Sequence, residues 1–200
     1  MKKLIYSLFL LLVAASCGNR GGEEAPLDVM EATWQTMEVN DLELKPVAAF
    51  AQDWMALGVR TKDALNAMTV SWGGIGELWG KPVVTVYVSK DRHTKSMMDA
   101  ADYFTLSAFP DTRKSKEALT YIGSHSLADE PDKIEKAGLT VELSELGNPL
   151  FKESNLAFEC KIIYREEFKR ELLPADVRPF YEETGLHTMY IGEIVNIFKK

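Results

Sequence analysis

The chain has 200 residues, 46% of them hydrophobic and 10% aromatic, with a formal net charge of −7. That length suits one domain behind a processed leader, and the apolar share is that of a globular protein. The acidity argues against a nucleic-acid partner, which would favour a basic surface, and solubility alone is reason enough for it.

Lys2 and Lys3 open the chain, Leu4 to Val13 is an apolar run, and Ala14-Ala15-Ser16 precedes Cys17. This is the order of a secretory signal peptide. The run falls short of the roughly 20 apolar residues a bilayer span needs. A cysteine directly behind small residues resembles a bacterial lipobox, although Ala14 stands where leucine is usual. The expectation is a lipoprotein signal peptide over residues 1–16, lipidation of Cys17, and anchorage to the lipid bilayer in the cell envelope. A plain secretory signal with an incidental cysteine is the alternative. Residues 17–26, rich in Gly and Glu, read as a flexible tether.

Residues 27–49 form an N-terminal arm. Met30, Trp34 and Met37 recur at spacings of four and three, which suits a short amphipathic helix or a docking arm. From Phe50 onward the signal is mostly β. Trp54 to Val59, Ala67 to Trp72 and Val83 to Ser89 read as strands, with the glycine-rich Gly73 to Pro82 as a link. Thr94 to Ala101 reads as a short helix, Tyr103 to Phe109 as a strand stopped by Pro110, and Ser115 to Ile122 as a helix with Ala118, Leu119 and Ile122 on one face. Asp132 to Ala137 is a helical turn ended by Gly138. Leu156 to Tyr164 alternates cleanly, with Leu156, Phe158, Cys160, Ile162 and Tyr164 on one side. Thr188 to Phe198 is a long last strand. Strands separated by short helices argue for a β-barrel and against a parallel sheet of βαβ units. Behind Cys17 only Cys160 remains, so the domain has no internal disulfide; a buried, inert thiol is the expectation.

The segment Asn66 to Lys95 carries the chemistry. Met68 and Trp72 can wall an apolar ring, and Thr69 and Ser71 place hydroxyls on one side of a strand. Gly73, Gly74 and Gly76 permit close backbone approach. Arg92 offers a planar fork of donors for a phosphate, and Thr94 another donor; a helix opening at Thr94 would add free N–H groups. The glycines do not form a dinucleotide fingerprint, and no phosphate-binding P-loop sequence occurs. His93, His125 and His187 are far apart and lack metal-ligand spacing, so no metal site is expected. Ser124-His125 lacks the nucleophile-elbow pattern, and the acidic pairs Glu166-Glu167 and Glu182-Glu183 read as solvated charges.

Asn66-Ala67-Met68-Thr69-Val70-Ser71-Trp72-Gly73-Gly74 followed by Arg92-His93-Thr94 resembles the flavin-contacting half of the flavin reductase-like, FMN-binding split-barrel family, which includes flavoredoxin. Tyr103-Phe104-Thr105-Leu106-Ser107, Asp132-Lys133 with Ala137-Gly138-Leu139, Cys160-Lys161 with Tyr164, and His187 to Val195 are similar to later family segments in the same order. The similarity extends from Phe50 to Asn196. The resemblance implies a mainly β fold, a six-stranded antiparallel split barrel with short helices over residues 50–200, and a homodimer. It also implies an oxidoreductase that moves electrons through bound FMN between a donor and an acceptor the residues do not name. As FMN contacts it implies Asn66, Met68, Thr69, Val70, Ser71, Trp72, Arg92, Thr94, Lys95, Ser124 and His125. Departures occur where the family often reads S-G-R-D, here Ser126-Leu127-Ala128-Asp129, and at Lys95, where an aromatic is common. A lipid-anchored binding module that keeps the barrel without FMN is the alternative.

Overall fold

The computed structural model describes Asp28–Val29 and residues 34–200. The signal peptide, Cys17, the tether and Met30 lie outside the described residues. The strands are β1 (Asp28–Val29), β2 (Gln35–Thr36), β3 (Met55–Arg60), β4 (Leu65–Val70), β5 (Gly73–Leu78) and β6 (Lys81–Ser89), then β7 (Tyr103–Ala108), β8 (Val141–Leu143), β9 (Pro149–Phe151), β10 (Leu156–Glu167) and β11 (His187–Lys199). The helices are α1 (Pro46–Ala48), which runs into a π-helical turn over Ala49–Asp53, α2 (His93–Ala100), α3 (Arg113–Ser124) and α4 (Lys133–Lys136).

The main sheet runs β4-β3-β7-β10-β11-β6-β5, with β2 added to the end of β11, and every ladder in it is antiparallel. The six strands from β4 to β6 are the expected split barrel; β4 and β6 come close at the seam without a ladder. Two register shifts in the β10–β11 ladder, one at Glu159/Cys160 and one at Ile162/Tyr164, help this long ribbon curl. Up to Ile162 the alternation holds and Phe158 and Cys160 enter the core; beyond the second shift Tyr164 leaves it.

The barrel interior is filled by aliphatic and aromatic side chains: Leu57, Val59, Val84, Val86, Val88, Phe104, Leu106, Phe158 and Ile194 are all buried. A second cluster seats α3, whose Ala118, Leu119 and Ile122 recur at helical spacing and pack with Ala56, Ala67 and Phe151. Thr112 caps α3 by accepting from Ser115 N–H.

Two expectations change. The stretch from Gly73 to Pro82 is not a link: Gly73–Leu78 is β5, paired in register with β6. The turn is made by Trp79 (φ 57°) and Gly80 (φ 72°), left-handed positions that suit a tight hairpin. Helical spacing at Met30, Trp34 and Met37 does not produce a helix over Trp34 to Met37. Gln35–Thr36 pairs with Phe198 and Lys199, and the buried Trp34 donates its indole N–H to Glu142 Oε2 at 2.7 Å. The docking-arm alternative describes this segment.

Candidate functional site

β4 ends at Val70, α2 begins at His93, and α3 lies along β4. These elements, with the stretch between β10 and β11, surround two adjoining cavities. The larger, of about 450 Å³, is lined by Met68, Thr69, Val70, Ser71, Trp72, Tyr87, Ser89, Asp91, Arg92, Phe180, Thr184 and His187. The smaller, of about 90 Å³, is lined by Asn66, Met68, Asp91, Arg92, His93, Thr94, Ile122, Ser124, His125, Ser126, Leu127 and Lys133. Met68, Asp91 and Arg92 belong to both, so the two spaces are neighbours.

The larger space has an aromatic wall. Trp72 lies 4.8 Å from the His187 ring and 5.7 Å from Phe180, centroid to centroid. His187 carries a buried Nδ1 with no hydrogen-bond partner, and burial, then the Arg92 charge, hold its pKa below the ordinary value.

The smaller space is cationic. Arg92 is the N-cap residue of α2, and its Nη1 donates to Gly123 O at 2.9 Å. Lys133 is almost fully buried and donates to His125 O at 2.9 Å and Ile122 O at 3.3 Å. Those two carbonyls occupy two of its three N–H groups and leave one for the cavity it lines. Burial, then the neighbouring Arg92, lower its pKa to about 8. Asn66 donates to Thr94 Oγ1 at 3.0 Å, so the Thr94 hydroxyl proton is free to point elsewhere. The N–H groups of His93 and Thr94 in the opening turn of α2 add donors on the same side, while that of Lys95 is taken by Arg92 O at 2.9 Å.

Ten of the eleven expected ligand residues line one or both cavities. Lys95 does not: its ammonium pairs with Asp99 one turn along α2. Thr69 lines the larger cavity, but its hydroxyl donates to Leu119 O, tying β4 to α3. Ser124 donates to Thr120 O at 2.8 Å, and His125 stacks on Tyr121 at 3.9 Å. The helix boundary moves by one residue, with His93 and not Thr94 opening α2. Of the three glycines only Gly73 is required by packing. A Cβ on Gly73 would stand 2.2 Å from Phe50 Cε1, whereas Gly74 and Gly76 face open space and line neither cavity.

Sequence reasoning missed Lys133, His187, Tyr87 and Phe180. The Asp132-Lys133 pair and the His187 strand were visible as family-like segments, but nothing local marks them as cavity residues. Phe180 sits in a stretch of irregular composition that carries no motif.

A flavin reductase like domain model matches residues 47–199. This chain belongs to the flavin reductase-like family. No curated protein matches the sequence at a significant level. Among solved structures, the FMN-binding domain of a flavin reductases-like enzyme from Shewanella baltica is 18% identical, with a TM-score of 0.59 over 84% of this chain and 77% of that one. Flavoredoxin from Methanosarcina acetivorans is 20% identical, with a TM-score of 0.59 over 83% and 75%. Flavoredoxin of Desulfovibrio vulgaris is 23% identical, with a TM-score of 0.57 over 82% and 77%. At these identities the likeness establishes the flavin reductase-like fold. Among the described residues no cluster of metal-binding side chains occurs, and no helix is long and apolar enough to cross a membrane.

Proposed function

We propose that this flavin reductase-like protein binds FMN, its phosphate in the small cavity and its ring in the large one, and passes electrons through it. The observation that carries the reading is the pairing of Arg92 with the buried Lys133 beside an aromatic-walled space. A dianion next to these two cations would compensate a buried positive charge whose hydrogen-bond partners are carbonyls and which the Glu130 carboxylate offsets only in part. Lys133 thus supplies a cation at this end where the loop Ser126-Leu127-Ala128-Asp129 lacks the family's arginine, which favours FMN binding over the colourless-module alternative.

The residues fit the group. Arg92, Lys133 and Thr94 would hold the phosphate, and Met68, Val70 and Trp72 would flank the ring. FMN, when bound, supplies two-electron or one-electron redox chemistry at its ring. The chain's part is to bind, orient and shield it; no side chain is assigned a catalytic role.

The leader adds location to the proposal. Cleavage before Cys17 and lipidation of its thiol would anchor the domain to a bacterial membrane outside the cytoplasm, where reduced nicotinamides are scarce. The donor would then be a membrane or periplasmic partner. A homodimer is part of the same reading, supported by the outer edge of β5, which is unpaired among the described residues, and by exposed Trp72, Trp79 and Val195.

The deciding experiment is a visible spectrum of the protein before and after adding FMN. A bound-flavin spectrum, with FMN released on denaturation, is expected; no flavin in either sample would overturn the reading. Rapid bleaching of bound FMN by physiological NADH would count against the periplasmic donor. Mass spectrometry of the N-terminal peptide tests Cys17, and sedimentation tests the dimer.

A further inference from the structure

β10 and β11 are joined by a long excursion, residues 168–186. Its base is closed by Phe168 N–H donating to His187 O at 2.9 Å. Two of its cations hold it in shape: Arg170 Nη2 donates to Tyr181 O at 2.7 Å, and Arg178 Nε to Leu173 O at 2.9 Å. With the end of β10 it forms an open groove of about 560 Å³, whose apolar floor is Phe168, Leu172, Leu173, Pro174, Val177 and Tyr181. Leu172 is 75% exposed, a large apolar side chain left facing water. The groove backs onto the larger cavity. Phe168 lies 5.5 Å from Tyr87 and Tyr181 lies 5.7 Å from His187, centroid to centroid, and Tyr87 and His187 line that cavity. A protein seated in the groove would therefore sit one pair of rings from the flavin space without entering it.

Charge and position select the occupant. Six carboxylates and three cations stand between Glu166 and Glu183, so the rim is acidic. Lys169 pairs with Glu166 at 3.0 Å. Glu167, Asp176, Glu182 and Glu183 are exposed and form no ion pair among the described residues. Such a rim attracts a cationic partner. It repels an anionic lipid surface and a second copy of a chain whose formal net charge is −7. The arm that leads to the proposed anchor pairs at the far end of β11, Gln35 and Thr36 with Phe198 and Lys199, whereas the excursion joins β11 at His187. The thirteen-residue strand separates the two ends by up to about 40 Å at its ordinary rise. The groove thus lies at the end of the ribbon away from the anchor, open to a soluble protein.

We propose that this groove docks the protein that exchanges electrons with the bound flavin, through a positively charged segment that lays apolar side chains on Leu172 and its neighbours. The inference rests on the FMN reading above. It concerns where the partner sits, not the transfer itself.

The test uses the full chain loaded with FMN and two labelled helical peptides as probes, one of leucine and lysine and its twin of leucine and glutamate, each with leucine on one face. Fluorescence anisotropy at low salt reads their dissociation constants. The lysine peptide is expected to bind roughly tenfold tighter or more than its twin, and to leave FMN bound. Leu172→Asp adds a negative charge but removes the apolar contact, so it should weaken the lysine peptide roughly tenfold. Val47→Asp, the same change at a residue 80% exposed outside the groove, should not. The lysine peptide should also slow the reduction of ferric cytochrome c, a basic haem protein, by the reduced flavin, two haems each taking one electron from one FMN. Equal binding of the twins, displacement of FMN by the peptide, no slowing of cytochrome c reduction, or an affinity in Leu172→Asp equal to or above wild type would overturn the assignment. So would a dimer that Leu172→Asp turns into a monomer, which gives the groove to a second copy, or anionic phosphatidylglycerol vesicles held more weakly by Leu172→Asp than by Val47→Asp, which gives it to the membrane. No flavin bound by the wild-type protein would overturn the FMN reading and this inference with it; flavin bound, with the twins indistinguishable, would overturn this inference alone.

Discussion

Replacing Lys133 by methionine isolates the phosphate end of the site. Methionine keeps the length and apolar stem but removes the charge. A charge-assisted hydrogen bond to a phosphate contributes about 1.5–3 kcal/mol, so FMN affinity should fall roughly 10- to 150-fold. Riboflavin, which lacks the phosphate, should bind both proteins alike. The pH dependence follows from the lowered pKa of about 8 in the ligand-free protein. Below that pH the ammonium is ready for the phosphate. Above it, binding must first recharge the amine, so affinity should weaken by up to about tenfold per pH unit. Below about pH 6 the phosphate takes up its second proton and affinity weakens again.

Stability without FMN carries the opposite mark. The folded pKa lies below the ordinary 10.5, so the cost of burying the charge is full below about pH 8. It is relieved as pH rises from 8 towards 10.5, because the unfolded chain then holds more protons than the folded one. Wild-type stability should rise across that window by at most about 3 kcal/mol, and Lys133→Met should lack the rise. Fluorescence titration of FMN and riboflavin between pH 5.5 and pH 9.5, conditions chosen about the two pKa values, reads the first effect; urea unfolding reads the second. Equal losses for riboflavin and FMN, or an FMN affinity unchanged in Lys133→Met, would refute the placement of the phosphate.

Three further outcomes are expected. Gly73→Ala should destabilise the fold by about 1–3 kcal/mol or more, because its Cβ would meet Phe50 at 2.2 Å and Thr85 O at 2.6 Å; thermal unfolding checks it, and Phe50→Leu in the same chain should recover part of the loss. Trp34→Phe removes the donor to Glu142, a buried carboxylate whose Oε1 already lacks a partner. It should cost about 3 kcal/mol in urea unfolding, and an unchanged midpoint would show that the arm contributes nothing. Burial raises the Cys160 pKa well above the usual thiol range. In a Cys17→Ser chain a thiol reagent at pH 8 should therefore label Cys160 only after denaturation, and labelling of the folded protein would contradict its burial.

Much was legible in the sequence because it is written in local periods. Alternation placed β4, β6, β7 and the first half of β10, and the three-four spacing placed α3 with its buried face. That Met68 to Trp72 and Arg92 line a cavity was readable because they lie in two short segments of characteristic residues. The tertiary structure alone decided the rest. Helical spacing in the arm lost to the free edge of β11, which pairs with Gln35 and Thr36. A glycine-rich stretch became a strand because β6 offered it a ladder and Phe50 needed the space at Gly73. The family resemblance implied Lys95 as a ligand, but one helical turn brings it to Asp99. Lys133, His187 and Phe180 became site residues only when α4, β11 and the excursion folded against α2 and β4. A short-range pattern records which face of an element is apolar. Which distant side chains share a cavity depends on how the elements close, and that is a property of the packed chain.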